Sequence, residues 1–250
     1  MCGVTNIDWS QKRGIADEKH WNKFVPTAGG ELVAPRIKRQ GVKNADYIFP
    51  HAKVVVEHKL LQTEFAHSKE ILKKVDDLIA QYPDGQPDTA NPVLRDGLID
   101  LLVKPLQRIV NSANRQIKET KAELGLTNWS GILLCVNDGF RGVPPDLVVK
   151  IFGHILAKTS YSNTTALIYL TNHYVELPDT PYAVLYWHPL YSPDASHDLK
   201  DFVDDLGRKW RAFGSEHGVP MDFSEERDHV DLSQMSVITG PKRNTPYFDD

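Results

Sequence analysis

The spacing of apolar and polar residues along the 250-residue chain follows two different periods. Apolar residues three or four positions apart predict amphipathic helices, because that spacing puts them on one side of a helix. Short apolar runs rich in β-branched residues predict strands, and residues 54–56, three valines in succession, are the strongest case. Five helices are predicted, over residues 8–25, 64–82, 93–124, 145–158 and 199–213. Six strands are predicted, over residues 32–38, 46–49, 53–61, 131–136, 164–170 and 182–187.

Glycine and proline mark the breaks between these segments. Turn-prone pairs at residues 40–41 and 50–51 separate the first three strands, which predicts an antiparallel meander. Residues 83–92 contain three prolines and predict a surface loop. Pro105 is expected to kink or start the long helix, and Gly125 to end it.

The order of the predicted elements indicates the fold class. A helix, a three-strand meander, helices, a strand, a helix, two strands and a last helix follow one another along the chain. Strands mixed with helices in this way predict a mixed α/β (α+β) fold with a central mixed sheet flanked by helices. The length suits a single domain over residues 1–250, and the last thirty residues are polar and weakly patterned.

Composition and charge narrow the class of protein. The formal net charge is −4, so any contact with nucleic acid must come from local basic patches, and the acidic total is a mild argument against it. The two cysteines, Cys2 and Cys135, form no disulfide or zinc pattern. No signal peptide and no membrane-spanning run are expected, and a cytoplasmic location with no membrane partner is predicted.

Three charged residues on two neighbouring predicted strands suggest chemistry. Asp46 begins one strand, and Glu57 and Lys59 end the apolar part of the next. Alternation along a strand puts Glu57 and Lys59 on one side, and a hairpin can bring Asp46 opposite them. Carboxylates are the oxygen ligands that Mg²⁺ and Mn²⁺ prefer, and a nearby lysine can stabilise developing negative charge. This set suits metal-dependent hydrolysis of phosphodiester bonds.

These residues, with ten positions between Asp46 and Glu57, resemble the PD-(D/E)XK superfamily of restriction-endonuclease-like nucleases. The resemblance covers about residues 15–170 and implies a restriction-endonuclease-like core. The resemblance implies that Asp46 is the first acid of the family motif, Glu57 the second acid and Lys59 the lysine. Residues 171–250 form a C-terminal extension without a match.

The resemblance also implies a cofactor and further site residues. It implies Mg²⁺ (or Mn²⁺) held by Asp46, Glu57 and the main-chain carbonyl of His58, whose side chain points to the other face of its strand. Family members often place a polar residue on the helix after the motif, and Gln116 is the best match here. The implied activity is that of a nuclease acting on DNA, and the resemblance allows a homodimer, since many such folds pair to cut two strands.

Weaker correspondences and departures accompany this resemblance. Arg108 and Asn114 are less certain helix candidates, and Glu18 is a weak candidate for an acid from the first helix. Ala45 stands where the family usually has proline, and residues 64–92 insert a helix and loop before the long helix. The bare triplet is not specific, because three helical segments also fit it, at residues 17–19, 119–121 and 198–200.

Each candidate residue or cluster also has a purely structural interpretation. A strand pair of acid and lysine is often only a solvated ion pair. Basic clusters of this kind are more often solvated surface than phosphate contacts. The first cluster consists of Arg36, Lys38, Arg39 and Lys43. The second, whose members are not expected to share one narrow face of the helix, consists of Lys104, Arg108, Arg115, Lys118 and Lys121. Residues 137–139 are expected to be a turn. Four aromatic residues suggest packing rather than base stacking: Tyr182, Tyr186, Trp187 and Tyr191.

Three hypotheses for the function follow. The first is a metal-dependent nuclease that acts on DNA. The second is a catalytically inactive binding or scaffold protein of the same fold, which the acidic net charge favours slightly. The third is a hydrolase that uses His and Asp pairs such as His51, or His229 with Asp228, although no paired spacing commends it.

Overall fold

The computed structural model describes residue 9 and residues 12–39, 41, 43–62, 68–81, 92–157, 161–176 and 183–219. Its helices are α1 (Glu18–Thr27), α2 (Lys69–Ile79), α3 (Pro92–Leu124), α4 (Pro145–Leu156) and α5 (His197–Glu216), and residues Ala34–Arg36 form one 3-10 turn. Its strands are β1 (Glu31–Leu32), β2 (Tyr47–Phe49), β3 (Val54–Leu61), β4 (Ser130–Asn137), β5 (Ala166–Thr171), β6 (Val175–Glu176), β7 (Ala183–Val184) and β8 (Trp187–Tyr191).

Six of the strands form one mixed sheet in the order β1-β2-β3-β4-β5-β8. The first three pair antiparallel, which confirms the predicted meander. A turn over residues 50–53 joins β2 to β3, closed by a hydrogen bond from the Lys53 amide to the Pro50 carbonyl at 3.2 Å. Strands β3, β4 and β5 are parallel, and β8 pairs antiparallel with β5. The predicted mixed α/β class with a central mixed sheet flanked by helices is confirmed.

The two faces of this sheet are covered by different helices, because side chains alternate along each strand. On one face, Leu61, Leu133 and Tyr169 pack with buried residues of α3 and α4. On the other face, Val54, Val56, Ile132 and Leu134 pack with α1 and α5. Consecutive residues of β3 therefore point into two separate apolar layers.

The helix ends follow from capping residues in the sequence. Asp17 caps α1 by accepting a hydrogen bond from the His20 amide at 2.8 Å. Ser68 caps α2 and Ser196 caps α5 in the same way, through the amides of Ile71 and Leu199. Each cap satisfies an amide that has no partner within the helix. The first helix consequently begins at Glu18 and not near residue 8 as predicted.

Several other predicted boundaries were wrong. The strand predicted over residues 32–38 ends at Leu32, since Pro35 and its neighbours form the 3-10 turn. The strand predicted over residues 182–187 is divided between β7 and β8. Pro105 lies inside α3 and does not start it.

Two described elements beyond residue 170, β8 and α5, belong to the same sheet and core. Strand β8 is an edge strand of the six-stranded sheet, and α5 buries Leu199, Val203, Leu206 and Trp210 against the face that also carries α1. In the described part of the chain, α2 is the helix found within the predicted insertion. None of the described helices combines the length and apolar character that a membrane span requires.

Candidate functional site

The end of the meander holds the Asp46 carboxylate against the backbone of β3. Asp46 immediately precedes β2, and its Oδ2 accepts a hydrogen bond from the His58 amide at 2.7 Å. Its own amide donates to the Val56 carbonyl at 3.1 Å, and its carbonyl accepts from Val33 at 2.8 Å. The backbone of Asp46 is thereby held from two sides, and its carboxylate is held by the amide of His58 on β3.

Glu57 and Lys59 lie two positions apart on β3, on the face covered by α3. Glu57 is 0 % exposed, whereas the Lys59 side chain is 27 % exposed. The Lys59 ammonium contacts the Glu57 carboxylate as an ion pair. Even so, neither oxygen of Glu57 accepts a hydrogen bond of regular geometry from a described residue. A buried carboxylate in this condition has oxygen lone pairs left over for another ligand.

Gln116 on α3 holds the ammonium of Lys59 in place. Its Oε1 accepts hydrogen bonds from Lys59 Nζ at 2.9 Å and from Ser112 Oγ at 3.0 Å. Its Nε2 donates to the Asn44 carbonyl at 3.0 Å. The amide therefore connects the helix, the segment before β2 and the lysine on β3, so that Lys59 is oriented from outside its own strand.

Burial dominates the electrostatics of the two acids. It raises the pKa of Glu57 to about 8, with the charge of Asp46 as the next cause, while Lys59 acts in the opposite direction. Burial also raises the pKa of Asp46, although the His58 amide and Lys59 lower it. Each carboxyl lies within hydrogen-bonding reach of the other when one is protonated. Two carboxylates this close repel each other unless a proton or a cation lies between them.

The imidazole of His58 lies on the opposite face of β3. Its ring packs 6.3 Å from that of Trp21 and 6.4 Å from that of Tyr47, measured between centroids. Burial lowers the pKa of His58 to about 4, and the charge of Lys59 adds to this. The ring is thus a neutral member of the apolar layer, and a contribution of His58 to the site would come from its main chain.

The donor set fits a divalent cation in part. Among the residues that the structure describes, no three His, Cys, Asp or Glu side chains form a group that could hold a metal. The side-chain ligands at the predicted position are then the two carboxylates of Asp46 and Glu57. The raised pKa values of both acids and the contact of Glu57 with the Lys59 ammonium indicate that a proton or a cation offsets the burial of these two carboxylates.

The weaker candidates occupy different places. Glu18, in the first turn of α1, lies close enough for its charge to contribute to the raised pKa of Asp46. Arg108 is exposed on α3. Asn114 faces away from the lysine, and its Oδ1 accepts hydrogen bonds from the Asn163 amide and the Thr164 hydroxyl. Asn114 therefore anchors the loop before β5 and is not part of the site.

A second group of buried polar side chains lies at the carboxyl ends of β4 and β5. From the sequence, residues 137–139 are predicted as a turn, and Tyr169 and Asn172 were not singled out. Asn137 donates to the Phe140 carbonyl at 2.6 Å and to the Tyr169 hydroxyl at 2.8 Å. Asn172 donates to Asp138 and accepts from the Ala16 amide at 2.9 Å, which holds the segment before α1. The signal that could have shown this group is the pair of asparagines ending two apolar runs, since parallel strands end at one edge of a sheet.

The remaining predicted features are surface or packing residues, or lie outside the described part. In the first basic cluster, Arg36 pairs with Glu31 and Arg39 with Glu123. Trp187 stacks on Trp21. His51 is exposed in the turn before β3, where no His and Asp pair is described. Tyr182, Asp228 and His229 lie outside the described residues.

Comparison with known proteins found no match. No family model, no curated protein and no solved structure is significantly similar to this chain.

Proposed function

We propose that this protein is a metal-dependent nuclease that hydrolyses phosphodiester bonds in DNA, with Asp46, Glu57 and Lys59 at its centre. The observation that carries the proposal is the buried, hydrogen-bond-deficient Glu57 carboxylate beside Asp46, with an oriented lysine against it. Acids whose pKa is raised by burial, together with a specific charge partner, are typical of functional sites.

The order of the elements is a second support. A helix, a three-strand antiparallel meander, a helix and a strand parallel to β3 follow one another along the chain. This is the order that the resemblance to the PD-(D/E)XK superfamily implies, with α2 as an additional helix.

The residues have distinct roles in this proposal. Asp46 and Glu57, with the His58 carbonyl, would hold Mg²⁺ or Mn²⁺, which when bound supplies charge to polarise the phosphate and lower the pKa of water. Lys59 would stabilise the negative charge that develops on the phosphate, because its ammonium is the partly exposed cation of the site. Gln116 would position Lys59 through its hydrogen bonds to three groups.

A catalytically inactive binding or scaffold protein is the second candidate. The direct contact between Lys59 and Glu57 favours it, because a proton or the ammonium can offset the burial of this carboxyl group without any metal. The two candidates differ in metal binding, since a scaffold has no need to hold a divalent cation at these acids.

The proposal is tested by cleavage and by metal binding together. Labelled duplex DNA, single-stranded DNA and RNA are incubated with Mg²⁺ or Mn²⁺ and with the wild type or with Asp46→Asn, Glu57→Gln or Lys59→Ala. We expect the wild type to cleave DNA and each variant to lose at least about 100-fold in rate, since each removes charge from the transition state. Mn²⁺ binding is measured separately by titration calorimetry, where Asp46→Asn and Glu57→Gln should weaken it.

The controls are Asp76→Asn and Lys73→Ala, which change exposed residues of α2 in the same chemical way. Circular dichroism checks that every variant is folded. Cleavage that survives all three site substitutions would place the activity elsewhere. A wild type that neither cleaves nor binds Mn²⁺ would support the scaffold hypothesis instead.

A further inference from the structure

The exposed face of α3 carries a stripe of cations. Lys104, Arg108, Arg115 and Lys118 are all exposed, with Asn111 between them. Their spacings of three, four or seven residues place them on one side of the helix, over about 20 Å at 1.5 Å per residue. This corrects the expectation that the basic residues of the long helix do not share a face. Lys121 alone departs from the stripe.

Lys121 differs from the four stripe residues in position and charge. It is half-buried on the flank of α3, and its Nζ donates to the Asn163 carbonyl at 3.3 Å. Burial lowers its pKa to about 8. It therefore serves the packing of the loop before β5, while the other four cations point to solvent.

Few negative charges oppose the stripe. No ion pair is described for Lys104, Arg115 or Lys118, and the charge of Glu70 on α2 lies near Arg108. Two carboxylates of α3 flank the stripe, Asp100 four residues before Lys104 and Glu119 four residues after Arg115, and neither forms an ion pair among the described residues. The four exposed cations therefore form a local positive surface on a chain of net charge −4.

The stripe lies beside the candidate site. Arg115 is adjacent in sequence to Gln116, and Arg108 is one turn before Ser112. Ser112 and Gln116 occupy the neighbouring side of the helix, where Gln116 binds Lys59. A chain of phosphates lying along the stripe would thus pass the side of α3 from which Gln116 binds the partly exposed Lys59.

We propose that the stripe on α3 binds the sugar-phosphate backbone of DNA and leads one strand to Lys59. This inference rests on the proposed nuclease function and names the surface that holds its substrate. Charge complementarity is the basis, because phosphates are the regularly spaced anions that a line of exposed lysines and arginines fits. Such contacts carry affinity and no sequence preference.

The test measures binding without cleavage. The full chain in EDTA is titrated against fluorescein-labelled 30-base duplex DNA, single-stranded DNA and RNA, by anisotropy at several salt concentrations. Arg115→Gln with Lys118→Gln should weaken DNA binding about tenfold or more at 0.1 M salt, and reduce the slope of log affinity against log salt by about two. The matched control is Arg208→Gln with Lys209→Gln on α5, which makes the same change in net charge on the opposite side of the sheet.

These outcomes test DNA binding by the stripe separately from nuclease activity. Loss of affinity in the α3 variant, with normal binding by the α5 control, would support it. Equal losses in the α3 and α5 variants, or none in either, would overturn it, even if the wild type cleaves DNA. Tighter binding of RNA than of DNA, or no binding of any probe by the wild type, would also overturn it. Absence of cleavage with intact stripe-dependent binding would reject only the nuclease activity.

Discussion

Glu57 is buried in surroundings that favour its protonated form. The folded protein keeps this proton up to a pH of about 8, whereas the unfolded chain loses it above its ordinary pKa of 4.5. The contribution to stability is therefore fully present below 4.5 and is lost as the pH rises to about 8. His58 and His173 act in the opposite sense at lower pH, because burial lowers both pKa values to about 4 from 6.5.

Both histidines affect stability only below pH 6.5, so the change in stability between pH 6.5 and 8 comes from the buried acids. We expect the free energy of unfolding, measured with urea in EDTA, to fall across this range by up to about 1.4 kcal/mol per pH unit. Glu57→Gln keeps a neutral group of the same shape and should remove most of the fall. Glu216→Gln, an exposed change on α5, should leave it intact. A fall of the same size in Glu57→Gln would show that another group carries the dependence.

At the scale of the element, the start of β4 approaches the loop before β5 very closely. The Gly131 carbonyl accepts a hydrogen bond from the Thr165 amide at 2.7 Å. A Cβ built on Gly131 would lie 1.9 Å from the Asn163 carbonyl oxygen and 2.7 Å from a methyl group of Ile117. Glycine is required here because both the loop and α3 pack onto the strand at this residue.

Gly131→Ala should therefore destabilise the protein by about 1–3 kcal/mol or more, since the loop backbone must move. Gly153→Ala is the matched control, because it lies within α4 and a Cβ there meets nothing within 4 Å. That change should stabilise by about 0.5–1 kcal/mol through helix propensity. Urea unfolding measures both, and a Gly131→Ala protein as stable as the wild type would refute the close approach.

At the scale of the whole molecule, the C-terminal helix and the N-terminal helix share one core. The rings of Trp21 on α1 and Trp210 on α5 stack with centroids 4.1 Å apart and planes at 7°. Trp187 of β8 stacks on Trp21 as well. Strand β8 and helix α5, which lie beyond the resemblance, are thus joined to the first helix by aromatic contacts.

We expect Trp210→Ala to lower the stability of the entire fold by about 3–5 kcal/mol, in a single cooperative transition. Lys209→Ala, an exposed neighbour on the same helix, should change it by less than about 0.5 kcal/mol. Far-ultraviolet circular dichroism and tryptophan fluorescence should give the same midpoint for each protein. Two separate transitions in Trp210→Ala would show that α5 unfolds independently of the sheet.

Much of the local structure was predictable from neighbouring residues. The three valines before Glu57 predicted β3, and the turn at Pro50 predicted the antiparallel pairing. The alternation along β3 also placed Glu57 and Lys59 on one side and His58 on the other. Strand ends were less predictable. The strand predicted over residues 32–38 ends at Leu32, because Pro35 and its neighbours form a 3-10 turn.

By itself, then, the sequence determined the class of fold, the helix and strand order and the acid and lysine of β3, because apolar periodicity and turn residues act over short distances. The tertiary structure alone decided that Glu57 is fully buried and that Gln116 binds Lys59 across 57 positions of chain. It also decided that β8 completes the sheet. The physical reason is that burial and long-range hydrogen bonds depend on which elements pack together, and no short stretch of sequence contains that information.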